Sequence, residues 1–166
     1  RAGWVSWPAT TPSTEFACRN ERGELFFSRA TNIYAKHYAG TMFKMDSGDT
    51  GYLVTPNHRI WYRPRDNTEW FMETADQVHG LPAVFLSSHP VTLLESEHDA
   101  GAGTASWSTI AYNGLVYCAS VPGGMLLTRR PGKRGIWLGN SERTGITLHL
   151  ASNVRKKGTD LETPAF

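Results

Sequence analysis

Residues 109–121 have the sequence TIAYNGLVYCASV, and Pro122-Gly123-Gly124 and the apolar segment 125–130 follow them. β-Branched, aromatic and small residues dominate the first segment, which is typical of a strand. The Pro-Gly-Gly tripeptide supplies the backbone freedom of a tight turn. This stretch therefore predicts two strands joined by a hairpin-type turn.

The same kind of pattern extends in both directions from this stretch. Further short strands are predicted at 24–27, 31–34, 41–45, 52–54, 59–63, 136–138 and 146–150, with turns at 47–49 and 131–133. Two segments differ. The spacing of Phe71, Met72, Ala75 and Val78 predicts a helix over 68–78, capped by Thr68. Residues 95–108, rich in Glu, Gly, Ala and Ser, predict an exposed loop.

The composition of the 166 residues limits the classes of protein to consider. The 16 Gly and 9 Pro favour a turn-rich β fold over a helix bundle. Six Trp, six Tyr and seven Phe argue against disorder, and a net charge of +2 argues against an obligate polyanionic partner. No apolar run reaches the roughly 20 residues of a membrane-spanning helix.

Cysteine and histidine spacing predicts no metal site and no cofactor. Cys18 and Cys118 stand far apart, and the sequence contains no Cys-x-x-Cys or His-x-x-x-His pair. They are interpreted as two reduced, buried thiols of a cytosolic protein, or one of them is a nucleophile.

A short internal echo accompanies the strands. Tyr38-Ala39-Gly40 and Tyr112-Asn113-Gly114 are each followed by a small alternating strand. Two copies are too few for a solenoid, but they are compatible with a pseudo-twofold β fold built from duplicated strands.

The segment Thr55-Pro56-Asn57-His58 is the first candidate for chemistry. A hydroxyl, an amide and an imidazole within one turn can orient a carbonyl and protonate a leaving amine near neutral pH. The alternative is an ordinary Pro-Asn turn with an exposed histidine.

The second candidate is Asn140, which follows the apolar segment 136–138 and Gly139 and precedes Ser141. An Asn side-chain nitrogen can attack its own backbone carbonyl and cleave the chain by forming a succinimide. The Ser141 hydroxyl can accept an acyl group. The alternative is a strand that ends in a Gly-Asn-Ser turn. Cys118 is the third candidate, either as a thiolate or as a small core residue.

Taken in order, these segments resemble the Hint (hedgehog/intein) family, in particular phage-type mini-inteins. The resemblance rests on a Tyr-x-Gly strand at Tyr38, the Thr55-x-x-His58 element, the 116–122 strand VYCASVP, the hairpin 129–133 and the apolar strand that ends in Asn140-Ser141. It covers about residues 1–141.

The resemblance implies an all-β, compact Hint-type horseshoe of short antiparallel strands, with pseudo-twofold duplication and at most one or two short helices. It implies autocatalytic protein splicing. Residues 1–140 would form the intein domain without its first strand, and 141–166 would begin the C-extein. Thr55, Asn57 and His58 would act at the upstream junction, Asn140 would cyclise and Ser141 would join the exteins.

The implied partners are the flanking exteins and, for a split intein, a complementary N-terminal intein fragment with which the chain splices in trans. The alternative is that the chain is a fragment of an intein that lacks its first strand. Neither a membrane nor a nucleic acid is an expected partner. The expected location is the cytoplasm of a bacterial or phage-infected cell.

Three departures from the family pattern accompany the resemblance. No initiating Cys or Ser precedes Gly3-Trp4-Val5, and Gly139 replaces the common His, with His89, Lys133 and Arg134 as candidate helpers. Cys118 stands where many inteins have Asp. Inteins that use this Cys for the first attack carry a Trp that would fall at position 60, where this chain has Ile60 and then Trp61. That class is therefore not assigned.

Two competing functions remain open. One is a Hint-fold domain that no longer splices. The other is a β-rich nucleic-acid-binding module that uses the basic hairpin residues Arg129, Arg130, Lys133 and Arg134, with Trp137 and Tyr117 nearby.

Overall fold

The computed structural model describes residues 3–20, 22–89, 94–101, 103–139 and 153–156. These residues form strands and very little helix, as the sequence predicts for an all-β fold. The strands are β1 (Gly3–Ser6), β2 (Glu15–Arg19), β3 (Leu25–Arg29), β4 (Asn32–Ser47), β5 (Thr50–Val54), β6 (Arg59–Pro64), β7 (Phe71–Thr74), β8 (Ala83–Ser88), β9 (Glu95–Ala100), β10 (Ser106–Ser120), β11 (Met125–Arg129), β12 (Gly135–Gly139) and β13 (Asn153–Lys156). The helix α1 covers Ala75–Val78, and a 3₁₀ turn covers Trp7–Ala9. No helix among these residues is long and apolar enough to cross a membrane.

The strands form two antiparallel sheets. The larger sheet has the order β1-β13-β2-β11-β12-β6-β8-β9, with β3 beside β2 and β7 beside β6. The smaller sheet has the order β10-β4-β5. The largest core cluster joins the two sheets, because Met45, Tyr52 and Val54 of the smaller sheet pack with Ile60 and Leu138 of the larger one. The chain passes from one sheet to the other between β5 and β6.

The long ribbon formed by β4 and β10 explains the internal echo. The two strands pair from Asn32↔Ser120 to Asp46↔Ser106, so the predicted segments 31–34 and 41–45 form one continuous strand. Tyr112 pairs with Gly40, and Gly114 pairs with Tyr38. Each tyrosine hydroxyl donates to the carbonyl three residues later, Tyr38 to Thr41 at 2.8 Å and Tyr112 to Leu115 at 2.6 Å. The two copies are therefore paired across the ribbon.

The turn at Pro122-Gly123-Gly124 has a different role from the predicted one. The strands on both sides of it are present, but β10 pairs with β4, while β11 pairs with β12 in the other sheet. The turn moves the chain between sheets instead of closing a hairpin. Gly123 has φ +83, and a Cβ there would lie 2.4 Å from the carbonyl oxygen of Arg19. The turn is packed directly on β2, which only glycine permits.

The predicted helix over 68–78 is wrong for most of its length. Residues 71–74 form β7, which pairs with β6 through Trp61↔Met72 and Tyr62↔Phe71, and the helix begins only at Ala75. Thr74, not Thr68, occupies the N-cap position. Trp70 stacks on Trp61 with ring centroids 4.5 Å apart. Cross-strand packing of aromatic residues outweighs the helical spacing.

The predicted loop over 95–108 is also wrong. Residues 95–100 form β9, which pairs with β8 along its whole length, and β10 begins at Ser106. The acidic side chains of β9 pair with arginines that lie beyond its neighbour β8: Glu95 with Arg19 of β2, Glu97 with Arg63 of β6 and Asp99 with Arg65 just after β6. The polar composition of this segment thus comes from ion pairs along a strand. The strand predicted at 146–150 lies outside the described residues.

Candidate functional site

The turn between β5 and β6 brings Thr55, Asn57 and His58 together. The His58 amide donates to the Thr55 carbonyl at 3.1 Å and closes the turn. The Thr55 hydroxyl donates to Asn57 Oδ1 at 3.0 Å. Thr55 is 2% exposed and His58 is 0% exposed, whereas Asn57 is exposed. The turn thus holds a buried hydroxyl and a buried imidazole on either side of an amide that faces the surface.

The short helix α1 supports this turn from behind. The amide of Ala75 donates to the His58 carbonyl at 2.8 Å, and the amide of Asp76 donates to the Pro56 carbonyl at 3.0 Å. Amides in the first turn of a helix have no partner within the helix. Here two of them bind the backbone of the turn, which fixes His58 relative to the core.

The C-terminal end of β12 lies beside the turn between β5 and β6. Leu138 pairs with Ile60, two residues after His58. Gly139 packs so closely on its neighbours that a Cβ there would lie 2.7 Å from Met72 Sδ and 2.8 Å from Arg59 Cβ. The predicted site residues Asn140 and Ser141 lie outside the described residues. Gly139, the residue before Asn140, therefore packs on Arg59, the residue that follows His58.

A cavity of about 630 Å³ opens beside this point. Its lining includes Arg59 and Met72, the two residues that touch Gly139, together with the stacked Trp61 and Trp70. A cavity of this size is large enough for several residues of an extended chain. It provides room for peptide next to the end of β12.

Cys118 lies on β10, in the smaller sheet. It is fully buried and packs in one cluster with Met42, Leu53 and Val116. Leu53 is on β5, two residues before Thr55. The structure thus places Cys118 in the same core cluster as a residue of the strand that leads into the candidate turn.

Comparison with solved structures identifies this architecture. A splice-inactive, GSH-linked variant of the AceL NrdHF class 3 split intein matches with a TM-score of 0.67 at 13% identity, over 82% of this chain and 88% of that one. The solution structure of a KlbA intein precursor from Methanococcus jannaschii matches with a TM-score of 0.61 at 16% identity, over 78% of this chain and 66% of that one. The chain has the fold of an intein. No protein-family model and no curated protein matches the sequence.

Within the intein fold, the three candidate helpers for Asn140 lie near the start of β12, at the opposite end of the strand from Gly139. Lys133 pairs with Asp46 at 2.9 Å, and an Arg134 side-chain nitrogen donates to Ser96 Oγ at 3.2 Å. His89 follows Ser88, which pairs with Gly135 at the start of β12. Four strand residues span roughly 13 Å. These side chains are thus far from Gly139, whereas Arg59 and Met72 touch it.

The basic side chains of the hairpin pack on, or form ion pairs with, other residues of this chain. Arg129 is 4% exposed and lies over the Trp4 ring at 4.5 Å. Burial lowers the pKa of Arg130, and nearby Asp46 opposes this change. With Lys133 bound to the same aspartate, the hairpin presents little free positive charge to a nucleic acid.

The sequence analysis missed a buried polar cluster that holds β12 in place. One terminal nitrogen of Arg19, Nη2, donates to both carboxylate oxygens of Glu95. Trp137 Nε1 donates to the same carboxylate at 2.6 Å. The Arg19 guanidinium also lies 4.8 Å from the Trp137 ring centroid. Arg19 at the end of the apolar segment 16–19 was the sequence feature that could have predicted this cluster, because a buried charge requires a partner.

The two cysteines are free and buried, as interpreted from the sequence. Burial raises the pKa of the Cys18 thiol to about 12, so this thiol is protonated at neutral pH. In the part of the chain that the structure describes, no three His, Cys, Asp or Glu side chains are grouped to hold a metal ion.

Proposed function

We propose that this chain is an intein that carries out autocatalytic protein splicing, with cleavage after Asn140 and ligation of the flanking exteins. The observation that carries the proposal is the antiparallel pair Leu138–Ile60 within an intein fold. It stands two residues before Asn140 and two residues after His58, which supports a role for both in one reaction centre. The split-intein neighbour supports a complementary N-terminal fragment as the partner, with splicing in trans.

Thr55, Asn57 and His58 serve the upstream junction in this proposal. The hydrogen bond between Thr55 and Asn57 orients the amide group, which donates to the carbonyl of the scissile peptide. The His58 imidazole protonates the nitrogen of that peptide as its C–N bond breaks. The amides of α1 that bind the turn keep both groups in place.

Cys118 is the proposed nucleophile for the first step. The neighbour's name describes a class 3 split intein made splice-inactive with a Cys-to-Ala and an Asn-to-Ala substitution, 22 positions apart. Cys118 and Asn140 are also 22 positions apart. The thiol gives up its proton to a base, and Sγ attacks the carbonyl carbon of the upstream junction. The C–N bond then breaks, and a thioester forms on Cys118.

The later steps belong to Asn140 and Ser141. The Ser141 hydroxyl takes the acyl group from the Cys118 thioester, and the thiol is regenerated. The Asn140 side-chain nitrogen then attacks its own backbone carbonyl, and the bond to Ser141 breaks as a succinimide closes and the Ser141 amine is released. That amine attacks the neighbouring ester, which yields the peptide bond between the exteins.

Mass spectrometry of the chain, incubated with a synthetic peptide that carries the complementary N-terminal strand, tests the cleavage step. We expect a fragment of residues 1–140 whose C-terminal succinimide makes it one water lighter than the free acid. Asn140→Ala removes the attacking nitrogen, so this fragment should disappear. Asn67→Ala is the matched control, because Asn67 is the other asparagine followed by a hydroxyl residue. Cleavage that persists in Asn140→Ala, or is absent from the unaltered chain, would contradict the proposal.

A further inference from the structure

Strand β13 comes from beyond the proposed cleavage point, yet it lies inside the larger sheet. It pairs with β1 through the whole register from Gly3↔Lys156 to Ser6↔Asn153. On its other side it pairs with β11 through Thr128↔Val154 and with β2 through Phe16↔Lys156. Among the described residues, β1 has no other partner strand.

β13 lies in a gap between β1 on one side and β2 and β11 on the other, which we call the slot. Strands β2 and β11 pair with each other only at Arg19↔Met125 and Cys18↔Leu126. Beyond these pairs they diverge, since Phe16 and Thr128 both pair with β13 instead. The slot is therefore open to a strand that runs antiparallel to β1, β2 and β11.

The surroundings of the slot are those of a core and not of a sheet edge. Trp4 on β1, Phe16 on β2 and Leu127 on β11 are 2%, 0% and 0% exposed. Unpaired backbone groups at such a place are costly, because buried amides and carbonyls require hydrogen-bond partners. In this structure β13 supplies these partners.

The proposed splicing reaction, on which this inference rests, removes β13. Cleavage after Asn140 separates residues 153–156 from β1, β2 and β11, so the strand is then held only by its pairings. A longer strand of another polypeptide would make the same backbone hydrogen bonds, as in β-strand addition.

We propose that the slot between β1 and β2 is a strand-accepting site. β13 fills it in cis and is displaced when a strand of the complementary N-terminal fragment enters. The downstream tail thus keeps the site closed until that fragment arrives. The backbone ladder supplies the affinity, and the buried neighbours Trp4, Phe16 and Leu127 select a strand whose inward residues are apolar.

Amide hydrogen exchange tests occupation of the slot in the full chain, in an Asn140→Ala background that keeps the tail attached. Val154 lies inside β13 and pairs on both sides, with Val5 and with Thr128. Val154→Pro should lower the protection of the β1 amides at least tenfold, because proline removes a donor and disrupts the strand. Thr159→Pro, outside β13, is the control and should leave that protection unchanged.

A synthetic peptide of residues 150–160 then tests strand acceptance in trans. Added to the Val154→Pro chain, it should restore the protection of β1, whereas the same peptide with Val154→Pro should not. Unchanged exchange of β1 in the Val154→Pro chain would overturn the occupation by β13. Failure of the peptide to restore protection, while β8 and β9 stay protected, would overturn the strand-accepting site.

Disulfide capture keeps the proposal testable if Val154→Pro prevents folding. In the Asn140→Ala chain, Val5→Cys combined with Val154→Cys should form a disulfide at least tenfold faster than Val5→Cys combined with Asn153→Cys, because Val5 pairs with Val154. Equal rates would overturn the proposed register. Neither measurement depends on cleavage, so the result is independent of whether Asn140 cyclises.

Discussion

A Cβ added to Gly139 would lie 2.8 Å from the Cβ of Arg59. This distance is shorter than carbon atoms tolerate, so β12 can approach the turn at His58 only with glycine at this position. In the proposed intein, Gly139 stands before the asparagine that cyclises, and this contact explains why no side chain fits there.

Gly139→Ala should therefore lower the free energy of unfolding by about 1–3 kcal/mol, the usual cost of overpacking, and slow cleavage after Asn140. Gly139→His should be worse on both counts. Chemical denaturation and the cleavage rate measure the two effects. Met72→Ala combined with Gly139→Ala should recover only part of the stability, because it removes the contact with Met72 Sδ but leaves Arg59 in place. An unchanged stability of Gly139→Ala would show that β12 is packed differently.

The hydroxyl of Thr55 provides the second prediction. Thr55→Val removes the donor to Asn57 Oδ1 while it keeps the shape of the side chain. The loss of one neutral hydrogen bond should cost about 1 kcal/mol of stability, but it should reduce the rate of upstream thioester formation much more. Thr55→Ser, which retains the hydroxyl, should stay close to the unaltered rate. Equal rates for the valine and serine variants would remove Thr55 from the upstream step.

Local patterns were sufficient to predict β3 to β6 and β10 to β12, but they did not reveal β1, β2 or β8. They also did not predict which strands pair. The strand at β10 and the glycine turn after it are where the sequence places them, yet β10 pairs with β4 and not with β11. Alternation along a strand reports which residues face the core, but says nothing about which strand lies beside it. The pairing depends on contacts between distant residues.

The two wrong segments fail for the same physical reason. Met72 in the predicted helix is fixed by cross-strand pairing with Trp61, and Glu95 in the predicted loop is fixed by its ion pair with Arg19. In both cases a partner far along the chain decides the local conformation. The turn Thr55–His58 could be located from sequence because its bonds are local, whereas the approach of Gly139 to Arg59 could not.

The two cysteines are matched for a test of the nucleophile, since both are free and buried. Cys118→Ala should abolish the thioester at the upstream junction, measured as release of a hydroxamate when hydroxylamine is added to the chain mixed with the complementary fragment. Cys18→Ala should retain it. A thioester that survives in Cys118→Ala would assign the first attack to another group.

The free energy of unfolding should decrease steeply as the pH rises in the alkaline range. Burial raises the pKa of Cys18 from 9.0 to about 12, and burial together with the hydrogen bond to Glu73 raises the pKa of Tyr62 from 10.0 to about 12. In the unfolded chain these groups lose their protons at the lower pH, so the unfolded state binds fewer protons between the two values. Stability should be full below pH 9 and should fall as pH rises toward 12, by up to about 1.4 kcal/mol per pH unit for each group.

Two variants show which groups cause this loss of stability at alkaline pH. Their denaturation midpoints are measured at pH 8 and at pH 11. Tyr62→Phe and Cys18→Ala should each reduce the loss between these two pH values. Midpoints that change equally in the variants and in the unaltered chain would mean that other groups are responsible.

The partly buried carboxylate of Glu95 provides the last prediction, with a control on the same strand. Glu95→Gln leaves the Arg19 guanidinium, whose side chain is 10% exposed, without its counter-charge. Breaking one side of a buried ion pair costs about 3–5 kcal/mol, so the denaturation midpoint should fall sharply. Glu97→Gln removes the ion pair with Arg63 at 2.9 Å, but the Glu97 side chain is 56% exposed and the cost should stay under about 1 kcal/mol. The Glu95 variant should also cleave more slowly after Asn140, because Trp137, two residues before Gly139, loses a charged acceptor. If both variants lose the same stability, the Arg19–Glu95 pair does not anchor β12.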